Sequence, residues 1–380
     1  MTTPAPPSGP PRTPADQTPA TAAQPPRAKD GYGGRRPIRP TGYSVLKVRR
    51  AGFLLHRRSA WTALVLALLL AAAAVAYLSV GESSVPPAEV VRVLLGQPSP
   101  HDLVVGTLRL PRLVTGLLVG TAFGLAGALI QTVARNPLAS PDIIGVTHGA
   151  GAATVAAFTF GLTTSTTVLP LVSLSGGLTA ALLVYLFAWR AGMTPSRFIL
   201  IGIGFSVALS SLTQLFLTRG DFLVAEQARV WLTGSLNGRG YDQAVPMALV
   251  LLAMLVPLLW AARAQRDISL DDDTTTMLGV RLGRVRLGLT ALGILLASTA
   301  TATAGPIDFV ALLAPQIARR LTRTPGIPLL CSALTGALVV VTADLLARRL
   351  FSPTELPVGV LTAAVGAPYL MWLIVRTRSR

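Results

Sequence analysis

Apolar residues gather into ten runs of helical length, near 60–80, 112–134, 142–162, 168–189, 197–218, 244–262, 287–304, 308–322, 328–347 and 357–375. A helix of about 20 apolar residues crosses the hydrocarbon core. The pattern therefore predicts an all-α polytopic membrane protein of about ten transmembrane helices. Ahead of the first run, residues 1–58 are rich in Pro, Ala, Thr and Gly, with few large apolar side chains. Such a segment buries too little surface to offset the entropy of ordering. It predicts a disordered basic tail over 1–58, followed by a transmembrane domain over 59–380. The tail is too long and proline-rich for a signal-peptide n-region, so the first apolar run is expected to stay as a helix.

Composition agrees with the pattern. The chain is 51% hydrophobic and 13% charged, and a mean hydropathy of +0.59 excludes a water-soluble globular domain. The net charge of +17 would fit a nucleic-acid binder if it formed a patch. It is instead concentrated in the tail and loops, and the tail lacks stacking aromatics, which favours membrane orientation over nucleic acid. With the amino terminus inside, 25 of the 33 Lys and Arg residues fall on the inner side, and ten crossings return the carboxyl terminus there.

The exceptions are Arg92, Arg109, Arg112, Arg219, Arg229, Arg239, Arg348 and Arg349. Arg109 and Arg112 lie in "TLRLPR", at the outer entrance to the second span. Two readings stand: interfacial anchors whose guanidinium groups snorkel to the headgroups, or an outward basic patch for an acidic partner. Arg348 adds to the second, because Asp344 stands four residues earlier and can share its helix face.

The longest inner loop, about 264–286, contains "SLDDDTTTMLGVRLG". Ser269 can cap a short helix, Asp271, Asp272 and Asp273 suit its positive end, and Gly279 can stop it. It reads either as a capped solvated connector or as a surface on which a soluble engine pushes. The chain carries no such engine: Lys29 and Lys47 are its only lysines, and neither follows a phosphate-binding glycine loop. His56, His101 and His148 are scattered and form no metal or catalytic set, with His148 expected to pack or hydrogen-bond. Cys331 lies in an apolar run and reads as a packing residue. Asp142, Asp308 and Glu355 sit at span ends and only Asp344 lies deeper, so an ion-coupled secondary transporter is the less favoured alternative.

Four glycines, Gly116, Gly120, Gly124 and Gly127, share one face of the second span, where another backbone can approach. Ser140 and Pro141 can start the third span as N-cap and first residue. Pro315 interrupts the eighth, which needs a neighbour to satisfy its backbone.

From about Leu108 to Ile374 these stretches resemble, in order, the FecCD-type (BtuC-like) permeases of bacterial ABC importers for iron-siderophores, haem and cobalamin. The resemblance is carried by "RLPRLVTGLLVGTAFGLAGALIQ", "RNPLASPDIIGVTHGAGAA", "WLTGSLNG", "MLGVRLG", "AGPIDFVALLAPQIARRLT", "GALVVVTADLLARRL" and "ELPVGVLTAAVGAPYLMWLI". The chain departs from that family's pattern at Gln316, where His is usual, at Ala311, often Gly, and at Asp308, usually uncharged.

The resemblance implies a type II importer permease of ten spans. It implies pairing with a second permease chain, two cytoplasmic ABC ATPases that carry ATP and Mg, and an extracellular substrate-binding lipoprotein, with no cofactor held by this chain and no enzymatic site of its own. It maps binding-protein docking to Arg109, Arg112 and Arg348, and ATPase coupling to Ser269, Asp271, Asp272, Leu278 and Gly279. Ser206, Ser210 and Gln214 on the fifth span are the candidates for lining the path. The expected cargo is an iron-siderophore, with haem or cobalamin as alternatives, and the expected location is the bacterial cytoplasmic membrane with both termini inside.

Overall fold

The computed structural model describes residues 43–48 and 51–378, apart from 82, 164, 166, 191–194, 270, 325, 352 and 353. Most of the expected tail thus lies outside the described residues. Its last part carries an element that composition averaged over 58 residues did not predict. β1 (Tyr43–Val48) and β2 (Ala51–His56) form an antiparallel hairpin, with Tyr43 opposite His56 and Val48 opposite Ala51. Val45, Leu46, Phe53, Leu54 and Leu55 make this stretch more apolar than the residues before it.

The regular elements described after the hairpin are all helices. The elements are α1 (Arg57–Ser79), α2 (Pro87–Leu94), a π-helical turn (Leu103–Arg109) running into α3 (Leu110–Ala134), α4 (Val146–Thr159), α5 (Val168–Arg190), α6 (Pro195–Arg219) and α7 (Phe222–Leu232). They continue with α8 (Tyr241–Ala253), α9 (Leu255–Asp267), α10 (Asp272–Met277), α11 (Leu282–Ala304), α12 (Val310–Thr322), α13 (Leu329–Arg349) and α14 (Val358–Arg378). Each expected span has its helix. Among the described residues six helices are individually long and apolar enough to cross a membrane, and α8 with α9 makes a seventh, bent by 49°. The bend sits at Met254, three residues before Pro257, whose missing N–H leaves the Ala253 carbonyl without its helical donor.

Two expected spans are shorter than predicted. α4 has 14 residues and α12 has 13, about 20 Å each at the helical rise and well under the hydrocarbon thickness. Their apolar runs begin as irregular backbone packed inside the protein, where its polar groups can be satisfied. Ser140 and Pro141 do not start α4: residues 141–145 form turns, and Gly145, at φ 88°, is the N-cap. α12 likewise starts after Phe309, held at φ 67°.

Hydropathy alone does not rank the helices by position. The α3 span averages 2.1 and is 78% buried, whereas α1 averages 2.3 and is 22% buried, and α6 averages 1.8 and is 17% buried. α3 is the central helix, packed on α13, α11, α12 and α8. Its glycine face permits this. A Cβ at Gly120 or Gly124 would overlap the Gly336 or Ser332 carbonyl oxygens of α13, and one at Gly127 would overlap the Ala311 carbonyl oxygen of α12. The Ala311 carbonyl is also the one that Pro315 deprives of a helical donor. Nearby, the Gln131 amide donates to the Leu312 carbonyl at 3.0 Å. Gln316 completes the link by donating to Gln131 and accepting from Arg319 at 3.0 Å. The residue that departs from the family pattern thus takes part in a buried amide chain joining α3 to α12.

Candidate functional site

Three groups of residues singled out in the sequence can be followed to their positions. The first is at the "TLRLPR" end of α3. Arg112 donates to both oxygens of Asp344, Nε to Oδ2 at 2.9 Å and Nη2 to Oδ1 at 2.8 Å, and its Nη1 donates to Glu355 at 2.9 Å. The Asp344 carboxylate is fully buried and also accepts from the Tyr77 hydroxyl. Arg348 lies 3.8 Å from Asp344 and stacks on the Tyr77 ring, its guanidinium carbon 4.0 Å from the centroid. Arg109 is buried and donates to the carbonyls of Leu78 and Ser83, each at 2.7 Å.

The structure therefore brings Arg109, Arg112 and Arg348 together but does not present them as unpaired cations. It turns them inward, where they tie α3 and α13 to the end of α1. The i,i+4 spacing identified Arg348 as the partner of Asp344; the bidentate partner is Arg112, 232 residues away. Tyr77 carried no signal in the sequence, because an aromatic at a span end is ordinary. Beside this cluster Arg349 is exposed, and it donates to the Gly81 carbonyl at 2.9 Å.

The second group is α10. Asp271, not Ser269, is the N-cap, its carboxylate accepting from the Thr274 N–H at 3.1 Å. Ser269 instead donates to the Arg266 carbonyl at 2.6 Å and closes the end of α9. Hydrogen bonds from Thr274 hold the Asp271 carboxyl below its ordinary pKa. Asp272 accepts from Arg286 of α11 at 2.8 and 3.0 Å and pairs with Arg135, at the end of α3, at 2.8 Å. Gly279, at φ 79°, ends the turn as expected. The tip is apolar and uncovered: Met277 is 89% and Leu278 67% exposed. A short helix tied to two core helices and presenting two bare apolar side chains is suited to transmit force from a bound partner.

The third group is on α6. Ser206 is buried and donates to the Gly202 carbonyl at 2.9 Å and the Ile143 carbonyl at 3.2 Å, so it seals α6 against the loop before α4. Ser210 is half-buried and Gln214 exposed along the same face, and Ser210 shares a hydrogen bond of 3.1 Å with the exposed His148 at Nδ1. Of the three candidates only Gln214 is thus fully at a surface, and His148 stands beside Ser210.

A fourth feature emerges only in three dimensions. The segment 233–240 folds back on the core through Ser235 N–H to the Ala304 carbonyl at 2.8 Å, and its Gly234 carbonyl accepts from the Gly359 N–H at 3.1 Å. Gly234 and Gly238 have φ of 68° and 69°, a conformation that L side chains resist. A Cβ at Gly234 would also overlap the Pro306 carbonyl oxygen. "WLTGSLNG" is thus a turn that only glycine allows at those two positions. It walls a cleft of about 350 Å³ lined by Trp231, Asn237, Arg239 and Glu355 among others.

Comparison with known proteins gives this arrangement its context. The chain matches the FecCD transport family over residues 61–376. It is 40% identical over 340 residues to the probable siderophore transport system permease protein YfhA of Bacillus subtilis (strain 168), covering 87% of this chain and 99% of the relative. It is 42% identical over 281 residues to the Fe(3+) dicitrate transport system permease protein FecD of Escherichia coli (strain K12), covering 73% and 87%. To the ferric enterobactin transport system permease protein FepG of the same strain it is 39% identical over 298 residues, covering 78% and 90%. Among solved structures, a metal-chelate type ABC transporter in an inward-facing conformation superposes with a TM-score of 0.73 at 31% identity, covering 83% of this chain and 99% of that one. The match covers most of the chain, and this chain belongs to the FecCD transport family of ABC transporter permeases.

Proposed function

We propose that this permease carries an iron-siderophore chelate across the bacterial cytoplasmic membrane as one subunit of an ATP-driven importer. The observation that carries the reading is α10. Its Met277–Leu278 tip is exposed, and Asp272 connects it to Arg135 and Arg286 on the two most buried spans. A movement imposed on that tip reaches the centre of the membrane domain without passing through a flexible loop. The cargo follows from the relatives, whose names refer to siderophore, Fe(3+) dicitrate and ferric enterobactin transport.

In this reading the chain pairs with a second permease and has no ATPase activity of its own. ATP and Mg are bound by two cytoplasmic ATPases, which engage the segment from Ser269 through Asp271, Asp272 and Leu278 to Gly279. Both termini face the cytoplasm, residues 1–58 form a basic extension, and residues 59–380 form the permease domain. No nucleic acid is involved. An extracellular binding lipoprotein docks on the opposite face, over the ends of α1 and α13. There Arg109, Arg112 and Arg348 shape the surface from beneath, and exposed Arg349 offers charge to an acidic partner. Ser210 and Gln214 face the path, and Ser206 fixes the helix that carries them.

The test is reconstitution of the complete complex in liposomes with binding protein outside and ATP inside. Radioiron supplied as a siderophore chelate should accumulate, and the chelate-loaded binding protein should stimulate ATP hydrolysis. Absence of both, with the complex intact, would rule the reading out.

A further inference from the structure

The cleft beside α7 contains a cation that the folded chain does not use. Arg239 is half-buried, and its Nε is buried with no hydrogen-bond partner among the described residues. Glu355, the carboxylate on the same wall, is engaged by Arg112 at 2.9 Å. Glu355 is thus held by Arg112 of the neighbouring cluster, and among the described residues no ion pair reaches Arg239. A desolvated guanidinium without a counter-ion is costly to keep. Burial lowers its pKa, yet a guanidinium remains protonated at neutral pH. The turn that holds it needs glycine at 234 and 238, so the backbone position of Arg239 is well determined.

The other walls fit a ligand. Trp231 supplies an aromatic surface, and Asn237, Gln227 and Ser235 supply neutral hydrogen-bonding groups. A volume of about 350 Å³ is at the small end of ligand pockets, enough for a citrate-sized anion or one edge of a larger chelate. The cleft lies between α7 with the α7–α8 turn, the end of α4, the start of α5, the end of α11 and the α13–α14 loop, all on the side predicted to be outer.

We propose that this cleft is an entry site for anionic iron chelates, with Arg239 binding a carboxylate or phenolate oxygen of the chelate beside Trp231. The inference rests on the importer reading and adds to it a residue and a charge preference. An anion receives from a guanidinium two parallel charge-assisted hydrogen bonds. A neutral chelate of similar size gains little from the same group, so Arg239 should sort chelates by charge.

The experiment uses the complete complex in nanodiscs, without binding protein, and equilibrium dialysis against two radioiron probes: ferric citrate, which is anionic, and a charge-neutral ferric trihydroxamate. R239Q should weaken ferric citrate binding roughly tenfold and leave the trihydroxamate unchanged. R239K, which keeps the charge and loses the planar fork, should fall between the two and serves as the test variant if R239Q fails to assemble. Equal ferric citrate binding by wild type and variant, equal loss for both probes, or no ferric citrate binding by wild type would each overturn the assignment. In a parallel titration with binding protein, a loss of affinity by R239Q confined to the binding protein would overturn it too, and would assign Arg239 to protein docking. Transport separates the two levels: a wild-type complex that moves no iron chelate removes the importer reading, whereas normal transport with R239Q indifferent to chelate charge removes only the entry site.

Discussion

A carboxylate with no exposed surface needs a cation, and Asp344 has Arg112 on both oxygens and Arg348 at 3.8 Å. Removing one partner of such a pair leaves the other buried charge short of its closest counter-ion, a loss of up to about 3–5 kcal/mol. D344N should therefore lower the thermal unfolding midpoint in detergent by many degrees, and R112Q should do the same. The double variant should be less destabilised than the two single effects added together, because the surviving charge is gone. Additive losses in that cycle would show that the two residues act independently. The spacing of Asp344 and Arg348 was legible in the sequence, whereas the hydrogen bonds of Arg109 and Arg112 run into the protein, to backbone carbonyls and to Asp344 and Glu355, an arrangement that neither of the two readings described. The bidentate pairing was not legible, because nothing local relates positions 112 and 344.

At the scale of elements, two predictions follow from packing. Gly127 faces the backbone of α12 with no room for a methyl group. G127A should destabilise the permease by about 2 kcal/mol through overpacking. G204A on α6, where an added Cβ meets nothing within 4 Å, should be neutral or slightly stabilising, since Ala loses less backbone entropy in a helix. Thermal unfolding of the pair distinguishes a tight contact from a general glycine effect. For α10, replacing Met277 and Leu278 with Asp removes the apolar tip while Asp272 keeps its partners. The doubly substituted chain should keep its unfolding midpoint and lose ATPase association in pull-down by about tenfold or more. Retained association would place the contact elsewhere. The acidic first turn and the Gly279 stop were legible from capping rules, but the N-cap was not, since Ser269 competes with Asp271 for it; nor was the exposure of Met277, since an apolar residue in a short loop reads equally well as buried.

For the whole molecule, the side on which each charge lies matters more than its sequence neighbours. Arg109 and Arg112 are buried, so reversing both should deplete folded permease before any docking is measured. R349E alters an exposed charge and should leave folding intact. It should weaken binding-protein affinity about fivefold at low salt and much less at high salt, because exposed pairs are screened. A salt-independent effect, or none at low salt, would exclude Arg349 from the docking surface.

Ten apolar runs, an inner-side excess of arginine and a set of ordered motifs were sufficient, from the sequence, for the class of fold, the number of spans and the family. These are local or additive properties: transfer of a span into lipid depends on its own side chains, and charge bias is a sum over loops. Tertiary structure decided the rest. It made α3 the core and left α6 mostly uncovered, although their hydropathies are alike, because lipid and protein interior are nearly equivalent surroundings for an apolar side chain. It shortened α4 and α12, turned Ser206 inward, and paired Arg112 with Asp344 while leaving the Arg239 Nε without a partner among the described residues. Each of those outcomes depends on which backbone lies alongside which, and that is settled by packing between segments distant in the chain.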